Sequence, residues 1–247
     1  MEALSWNAFA LGEDDVEALL VGDAERKAAI QSDWVELCAL LSNLREPALR
    51  ALTTVFLRTQ RESFCRAAAA RGNHHARRGG LLEHTTAMLR MAAAVCESRT
   101  ELDADLLLTG VLFHDCGKMV ENQYELRGVA MPFTRKGELL GHITIGVDLV
   151  RTLWQSAQKT LPEGADPARA EQAVDALCHL VLSHHGQRVY GSPVEPKMPE
   201  AVVLHGLDQM DAQLEMMRAA LENEPEIGTG VVGKRWPLSV NLVKGLA

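Results

Sequence analysis

Residues 111–118 read Val-Leu-Phe-His-Asp-Cys-Gly-Lys, an apolar run that ends in an adjacent His114–Asp115 pair, with Lys118 close behind. An imidazole nitrogen is a borderline metal ligand, and a carboxylate has two oxygens that can bridge two cations. The neighbouring pair is therefore a candidate metal half-site. The same chemistry recurs at wide intervals in His84, His142, His184, His185 and Asp208. Any one of these histidines alone would more often be a satisfied core residue than a ligand. Together the five fall on apolar helical stripes or at helix ends, and burying that many imidazoles is costly unless a cation accepts their lone pairs. His84, His114, Asp115 and Asp208 would complete one centre. Asp115 could bridge from it to a second, made by His142, His184 and His185. Two cations roughly 3.5–4 Å apart can hold a bridging hydroxide and two oxygens of a phosphodiester. Asp208 and Asp211 lie one helical turn apart, so spacing alone lets either face such a site. Lys118 would aim an ammonium at a phosphate oxygen and stabilise charge in the transition state. The plainer alternative is a helix-end lysine favoured by the dipole.

The elements that must position these residues read as helices. The chain has 247 residues, of which 47% are hydrophobic and only 4% aromatic, with Ala and Leu abundant, so an all-α domain is expected over a β-sandwich. Trp34, Leu37, Leu40 and Leu41 mark a helix over 31–44, and Pro47 suits the first turn of the next. A third helix is expected over about 60–70, and a short one near 14–20. After a loop at 71–80, a fourth helix carries His84 beside Leu81, Leu82, Met88 and Leu89. A fifth, over 102–116, is apolar on most sides and delivers His114–Asp115 into the interior, with Gly117 where a helix ends left-handed. Residues 121–136 read as an irregular connection, with room for a small hairpin near 122–135 turning at Gly128. Later stripes place His142, His184 and Asp208 on three more helices, and Gly186 stops the second of these. The chain divides into a short segment over 1–30, a helical domain over 31–222 and a tail over 223–247.

The net charge is −8, which excludes a broad nucleic-acid-coating surface. Within it, residues 58–78 carry six arginines against Glu62 alone, a local excess of +5 suited to phosphate or nucleotide contact through Arg77 and Arg78. Five cysteines without a Cys-x-x-Cys pair read as reduced thiols of a cytoplasmic protein. No apolar stretch reaches membrane-span length, and the first residues do not read as a signal peptide. Val231, Val232, Trp236 and Leu238 in the tail suggest a contact between subunits of a homo-oligomer.

Several stretches in this order resemble the HD-domain metal-dependent phosphohydrolases. They are Gly79-Gly-Leu-Leu-Glu-His-Thr85, His114-Asp-Cys-Gly-Lys118, Gly137-Glu-Leu-Leu-Gly-His-Ile143 and Leu182-Ser-His-His-Gly186. With Asn73-His-His-Ala76, Tyr190-Gly-Ser-Pro193 and Leu204-His-Gly-Leu-Asp208, the pattern is most similar to the YhaM-type 3′→5′ exoribonucleases. The resemblance covers roughly residues 31–215. It implies an all-α HD bundle with the metal site in its core and ligands at His84, His114, Asp115, His142, His184, His185 and Asp208. It selects Asp208 over Asp211 and places His74, His75, Lys118 and Tyr190 at the substrate pocket, and Asp115 and Lys118 are the candidate catalytic residues. The implied cofactors are two divalent transition-metal ions, and mixed nitrogen and oxygen ligation suits Mn, Fe, Co, Ni or Zn. The implied partner is a nucleotide or single-stranded nucleic acid, cleaved at a phosphodiester. About 30 residues precede the shared region, too few for the OB-fold barrel of that branch, so the expectation is a hydrolytic centre without that grip. The Gly-Tyr-Pro of the HD-GYP branch is absent after His185, where Gly191-Ser-Pro stands. Hydrolysis of mononucleotides or other small phosphate esters is the alternative. A di-iron oxygenase and a non-catalytic nucleotide-binding module are the remaining classes.

Overall fold

The computed structural model describes residues 13–72, 75–132 and 134–245. It is a helical bundle, as the composition predicts. Helix α1 is Glu13–Val21 and α2 is Ala24–Leu40. The second helix starts a full turn and more before the Trp34 stripe, because Asp23 accepts a hydrogen bond from Arg26 N (2.7 Å) and caps it. Pro47 opens α3 (Pro47–Thr59), while the Asp105 carboxylate accepts from the amides of Arg45 and Glu46 just ahead of it. Helix α4 (Arg61–Arg66) is shorter than the third helix expected from sequence. Ala67, Ala68 and Ala69 leave the helix fully buried, with Ala67 bridging Gln123 and Ala68 N bonding Asn122 O (2.9 Å). Methyl side chains let the backbones approach that closely.

Helix α5 (Gly80–Ser98) is the central post, packed by α2, α4, α6 (Ala104–Phe113) and α10 (Pro199–Asn223). Seven of the ten residues of α6 are buried, which is why its sequence shows no polar face. Phe113 stacks edge-on against Phe56 (centroids 4.9 Å apart), which meets Phe64 the same way (5.3 Å). Each such ring contributes roughly 1.5–3 kcal/mol by leaving water. A tight turn leads from α6 into α7 (Lys118–Glu121). Helix α8 (Arg135–Ala157) packs on α3, α7 and α9 (Pro167–Ser183), and α10 (Pro199–Asn223) closes the bundle against α5, α6 and α9. Glu200, 5% exposed, accepts from Asp103 N (2.8 Å) and so ties the start of α10 to the start of α6.

The hairpin near 122–135 does not form among the described residues. Glu125 N bonds Ala130 O (3.2 Å) around the Gly128 turn, but no ladder follows. The tail is more ordered than its composition suggests. Strands β1 (Glu226–Gly228), β2 (Val231–Val232) and β3 (Leu242–Val243) form an antiparallel sheet in that order. Val232 and Leu242 bury against Ala220, with Leu238 packed alongside. Two of the four apolar tail residues read as a subunit contact are thus covered by the chain itself, whereas Trp236 is 80% exposed. All five cysteines are free thiols, and no helix among the described residues is long and apolar enough to cross a membrane.

Candidate metal centre

Five helices converge on one cluster. His84 sits in the first turns of α5, His114 caps α6, and Asp115 follows in the turn to α7. His142 lies in α8 directly after Gly141, whose φ of +67° breaks the helix there. His184 caps α9, and Gly186 (φ +78°) ends it. A Cβ at Gly186 would lie 2.3 Å from the His205 ring, so that exit is closed to other residues. Gly117 is not left-handed as the sequence suggested: its φ is −65°. Glycine is needed there for space, since a Cβ would meet the His142 carbonyl oxygen at 2.0 Å. The turn carrying His114–Asp115 thus lies directly on the backbone of α8.

The donors form two groups. His84 Nε2 lies 3.3 Å from both His114 Nε2 and Asp208 Oδ1. His142, His184 and His185 form the second group, with one ring nitrogen from each within 4.8 Å of the others. Asp115 stands between them. Its Oδ2 is 3.3 Å from His114 Nε2 and 3.9 Å from His84 Nε2, while its Oδ1 is 3.5 Å from the Nε2 atoms of both His142 and His184. One carboxylate oxygen therefore faces each group.

The protons on the rings follow from what stands behind them. The Nδ1 of His114 contacts Val111 O (2.8 Å), that of His184 contacts Val181 O (2.7 Å), and that of His185 contacts Tyr190 O (2.8 Å). A carbonyl only accepts, so each Nδ1 carries the hydrogen and each Nε2 keeps its lone pair. The Nδ1 of His84 donates to Asp211 Oδ2 (2.6 Å) and that of His142 to Glu121 Oε2 (3.1 Å). Burial would raise both carboxyls, but the histidines they face outweigh it and hold them low, so both are ionised acceptors. All five imidazoles thus turn Nε2 toward the cluster, each oriented from behind.

This arrangement fits cations. The lone pairs of His84 and His114 face each other at 3.3 Å and repel unless a proton or metal lies between them. Asp115 Oδ1, His142 Nε2 and His184 Nε2 are buried, mutually close and without a hydrogen-bond partner. Three orphaned acceptors aimed at one point are what a divalent ion satisfies. Burial holds His184 and His185 below the ordinary imidazole range, which keeps them neutral as ligation requires. Burial would depress His84 too, but Asp208 and Asp211 overcome it and raise the ring to about 9. In the absence of metal, a proton takes the cation's place on that ring. Burial would raise Asp115 as well, yet Lys118 and His114 hold it far below the carboxylate range. Lys118 is 8% exposed and bonds Asp115 Oδ2 at 2.7 Å. It therefore serves as an internal cation for the carboxylate.

Asp211, which spacing allowed as a ligand, lies behind His84 instead and also accepts from His75 Nε2 (3.0 Å). His75, 5% exposed, is held there with its other nitrogen 3.6 Å from Glu83 Oε1. His74 lies outside the described residues. Arg77 is engaged by Glu83 (2.5 Å) and Glu215 (2.8 Å). Arg78 donates to the carbonyls of Leu20, Glu125 and Gly128 and lies over Tyr124. Tyr190 is 57% exposed in the turn whose carbonyl orients His185. Glu121 was not foreseen. Its only trace in the sequence is a carboxylate one turn beyond Lys118 on an otherwise apolar segment. A cavity of about 600 Å³ lies elsewhere and is lined by no member of the cluster.

The sequence matches the HD domain family over residues 81–213, which runs from α5 into α10 and includes every member of the two histidine–aspartate groups. No solved structure matches the chain.

Proposed function

The chain belongs to the HD-domain family of metal-dependent phosphohydrolases, and we propose that it is a dinuclear phosphodiesterase acting on nucleic-acid 3′ ends or short oligonucleotides. One observation carries the dinuclear reading: Asp115 turns one oxygen to the His84–His114–Asp208 group and the other to the His142–His184–His185 group. When bound there, divalent cations supply an activated water and neutralise phosphoryl charge. The chain's own residues do the rest. Asp115 holds the two groups in register. Lys118, which bonds Asp115 Oδ2 at 2.7 Å, would donate its buried ammonium to a non-bridging phosphoryl oxygen where Asp115 serves as a metal ligand. His142, His185 and Asp208 are the less enclosed members, which sets the open side of the centre and the direction of substrate approach. Tyr190, exposed beside His185, offers a ring on which a terminal base can stack. The motifs shared with YhaM-type exoribonucleases support the nucleic-acid substrate.

A second reading keeps the chemistry and changes the substrate to a mononucleotide or other small phosphate ester. It is favoured by Arg77 and Arg78, which are engaged inside the chain instead of offering a grip to a long polyanion. The test is hydrolysis of 5′-labelled single-stranded RNA and DNA with Mn²⁺, beside Asp115→Ala. A ladder shortening from the 3′ end and lost in the variant is expected. Intact oligonucleotides with cleaved nucleotides would move the assignment to the second reading, and no hydrolysis of either would remove both.

A further inference from the structure

The arginine-rich stretch that reads as a phosphate grip does not converge on the metal cluster. Its side chains divide. Arg77 joins the network behind His84, Arg71 bonds Glu121 O (2.9 Å), and the others turn toward α2. There, between α2, α4 and the Arg78 turn, lies the cavity of about 600 Å³, in the size range of small-molecule sites. We propose that this cavity is a second ligand site, separate from the metal centre, that takes a nucleoside polyphosphate.

Its lining has two chemically distinct parts. Lys27, Arg58, Arg61, Arg66 and Arg78 give it five cations against one carboxylate, Glu62, in a chain of net charge −8. Collecting like charges in one concavity costs free energy that a polyanion recovers. The donors are partly engaged: Lys27 lies 3.4 Å from Glu17, and Arg78 donates through Nη2 to the carbonyls of Leu20, Glu125 and Gly128, neutral acceptors that leave its charge uncompensated. Arg58 has no carboxylate at ion-pair distance among the described residues. Arg61 bonds Gln31 through one terminal nitrogen (2.8 Å). Arg66 pairs with Glu62 through Nη1 (2.8 Å) and keeps its Nε buried without an acceptor. Burial, and then the nearness of Arg66, both disfavour the charge on Arg78. A single phosphate would leave much of this charge unmet, whereas a di- or triphosphate presents several anionic oxygens to it. The other part is apolar. Trp34 and Ile30 form the floor, and the Arg61 guanidinium lies over the Trp34 ring at 5.2 Å. A flat base stacked on the exposed Arg61 guanidinium, which itself covers the buried Trp34 ring, with its phosphates toward the other arginines, uses both parts at once. No residue of α8, α9 or α10 lines the cavity, so it holds none of the second metal group.

The test measures binding of ATP, GTP, inorganic triphosphate and adenosine to the full chain by calorimetry in EDTA, where the metal centre cannot recruit a phosphate. The proteins are wild type, Arg58→Glu, Arg61→Glu and Asp115→Ala. Both arginines are exposed, so charge reversal leaves the core intact, and equal thermal midpoints check this. ATP or GTP is expected to bind at least about tenfold more tightly than triphosphate or adenosine alone. Each arginine variant should weaken it about tenfold or more, and Asp115→Ala should leave it unchanged. The proposal fails if neither nucleotide binds, if the arginine variants bind as wild type does, or if Asp115→Ala abolishes binding. Affinity for single-stranded oligonucleotides that exceeds the nucleotide's and grows with length would overturn it in favour of a nucleic-acid groove.

Discussion

Replacing Gly117 by alanine should separate the two donor groups without touching a ligand. An ideal Cβ at this position lies 2.0 Å from the His142 carbonyl oxygen, 2.8 Å from the His142 carbonyl carbon and 2.8 Å from Gly146 N. All three are backbone atoms of α8, so no side chain can rotate out of the way. Restoring a 3.0 Å contact requires α8 and the His114–Asp115 turn to part by about 1 Å. Asp115 Oδ1 stands 3.5 Å from His142 Nε2 across that same contact, and shared ligation tolerates errors of only about half an ångström. The overpacking itself should cost about 1–3 kcal/mol. The larger effect is on the centre, where Mn²⁺ stoichiometry should fall from two to one and phosphodiester hydrolysis by about 10²-fold. Metal analysis after gel filtration, thermal unfolding and a rate assay measure the three effects. Gly146→Ala is the milder comparison at the same contact, since its added Cβ meets Val181 Cγ1 at 3.2 Å, Cys116 Sγ at 3.5 Å and Gly117 N at 3.6 Å, none closer than 3.0 Å. A Gly117→Ala protein that keeps two Mn²⁺ ions and hydrolyses within threefold of wild type would refute the claim that this contact sets the register of Asp115.

Three other perturbations test separate parts of the centre, and a fourth tests the burial of Cys65 in α4. Asp211→Ala leaves His84 Nδ1 without its 2.6 Å acceptor and should weaken metal binding about 10–100-fold in a chelator competition while the fold survives; unchanged affinity would remove Asp211 from its orienting role. Lys118→Met should lower turnover about 10²–10³-fold without weakening Mn²⁺ binding, because Lys118 competes with the cation for Asp115 Oδ2; loss of metal would contradict that competition. Mn²⁺ should load in two steps, first at the group with its own carboxylate, so Asp208→Ala should abolish the tighter step and His142→Ala the weaker one, read from the free-ion electron paramagnetic resonance signal. Burial pushes the Cys65 thiol up to about 11 from its ordinary 9, so the folded chain holds about a hundredfold less thiolate there below pH 9. Iodoacetamide should label Cys65 about a hundredfold more slowly in the native than in the urea-unfolded chain at pH 8. The gap should close as pH rises through 11, and equal native and unfolded rates would refute the burial.

Helix identity was legible wherever an apolar stripe was long. The Leu106–Phe113 run announces a helix buried on most sides, and the structure buries seven of its ten residues. Boundaries were less legible, because they depend on local bonds that hydropathy does not record. Asp23 starts α2 well before the Trp34 stripe, and the pairing of Ala67 and Ala68 with 122–123 stops α4 early. Gly117 shows a third kind of gap. A glycine beside a helix end suggests a left-handed cap, yet this one has ordinary φ and is required by a neighbour that is distant in sequence. Sequence offers two reasons for a glycine, conformation and space, and only the packed structure decides between them.

The centre itself divides along a similar line. The donors were legible as a set of residue types, since one histidine on an apolar stripe reads as core but five of them are costly to bury without a cation. What orients them was not, for two reasons. Three of the five histidines are backed by main-chain carbonyls, which every residue carries and which leave no mark in a sequence. The other two are backed by Asp211 and Glu121, carboxylates that sequence cannot tell from ligands or surface charges until the helices are packed. The basic stretch failed for the opposite reason. Proximity in sequence to His84 suggested a shared site, but Gly79 at φ +75° turns the chain between them. Arg78 then faces α2 while His84 faces α10. Charge clusters report that an anion is wanted somewhere along the chain. The turn that separates the cluster from the catalytic helix decides which anion, and at which of the two sites.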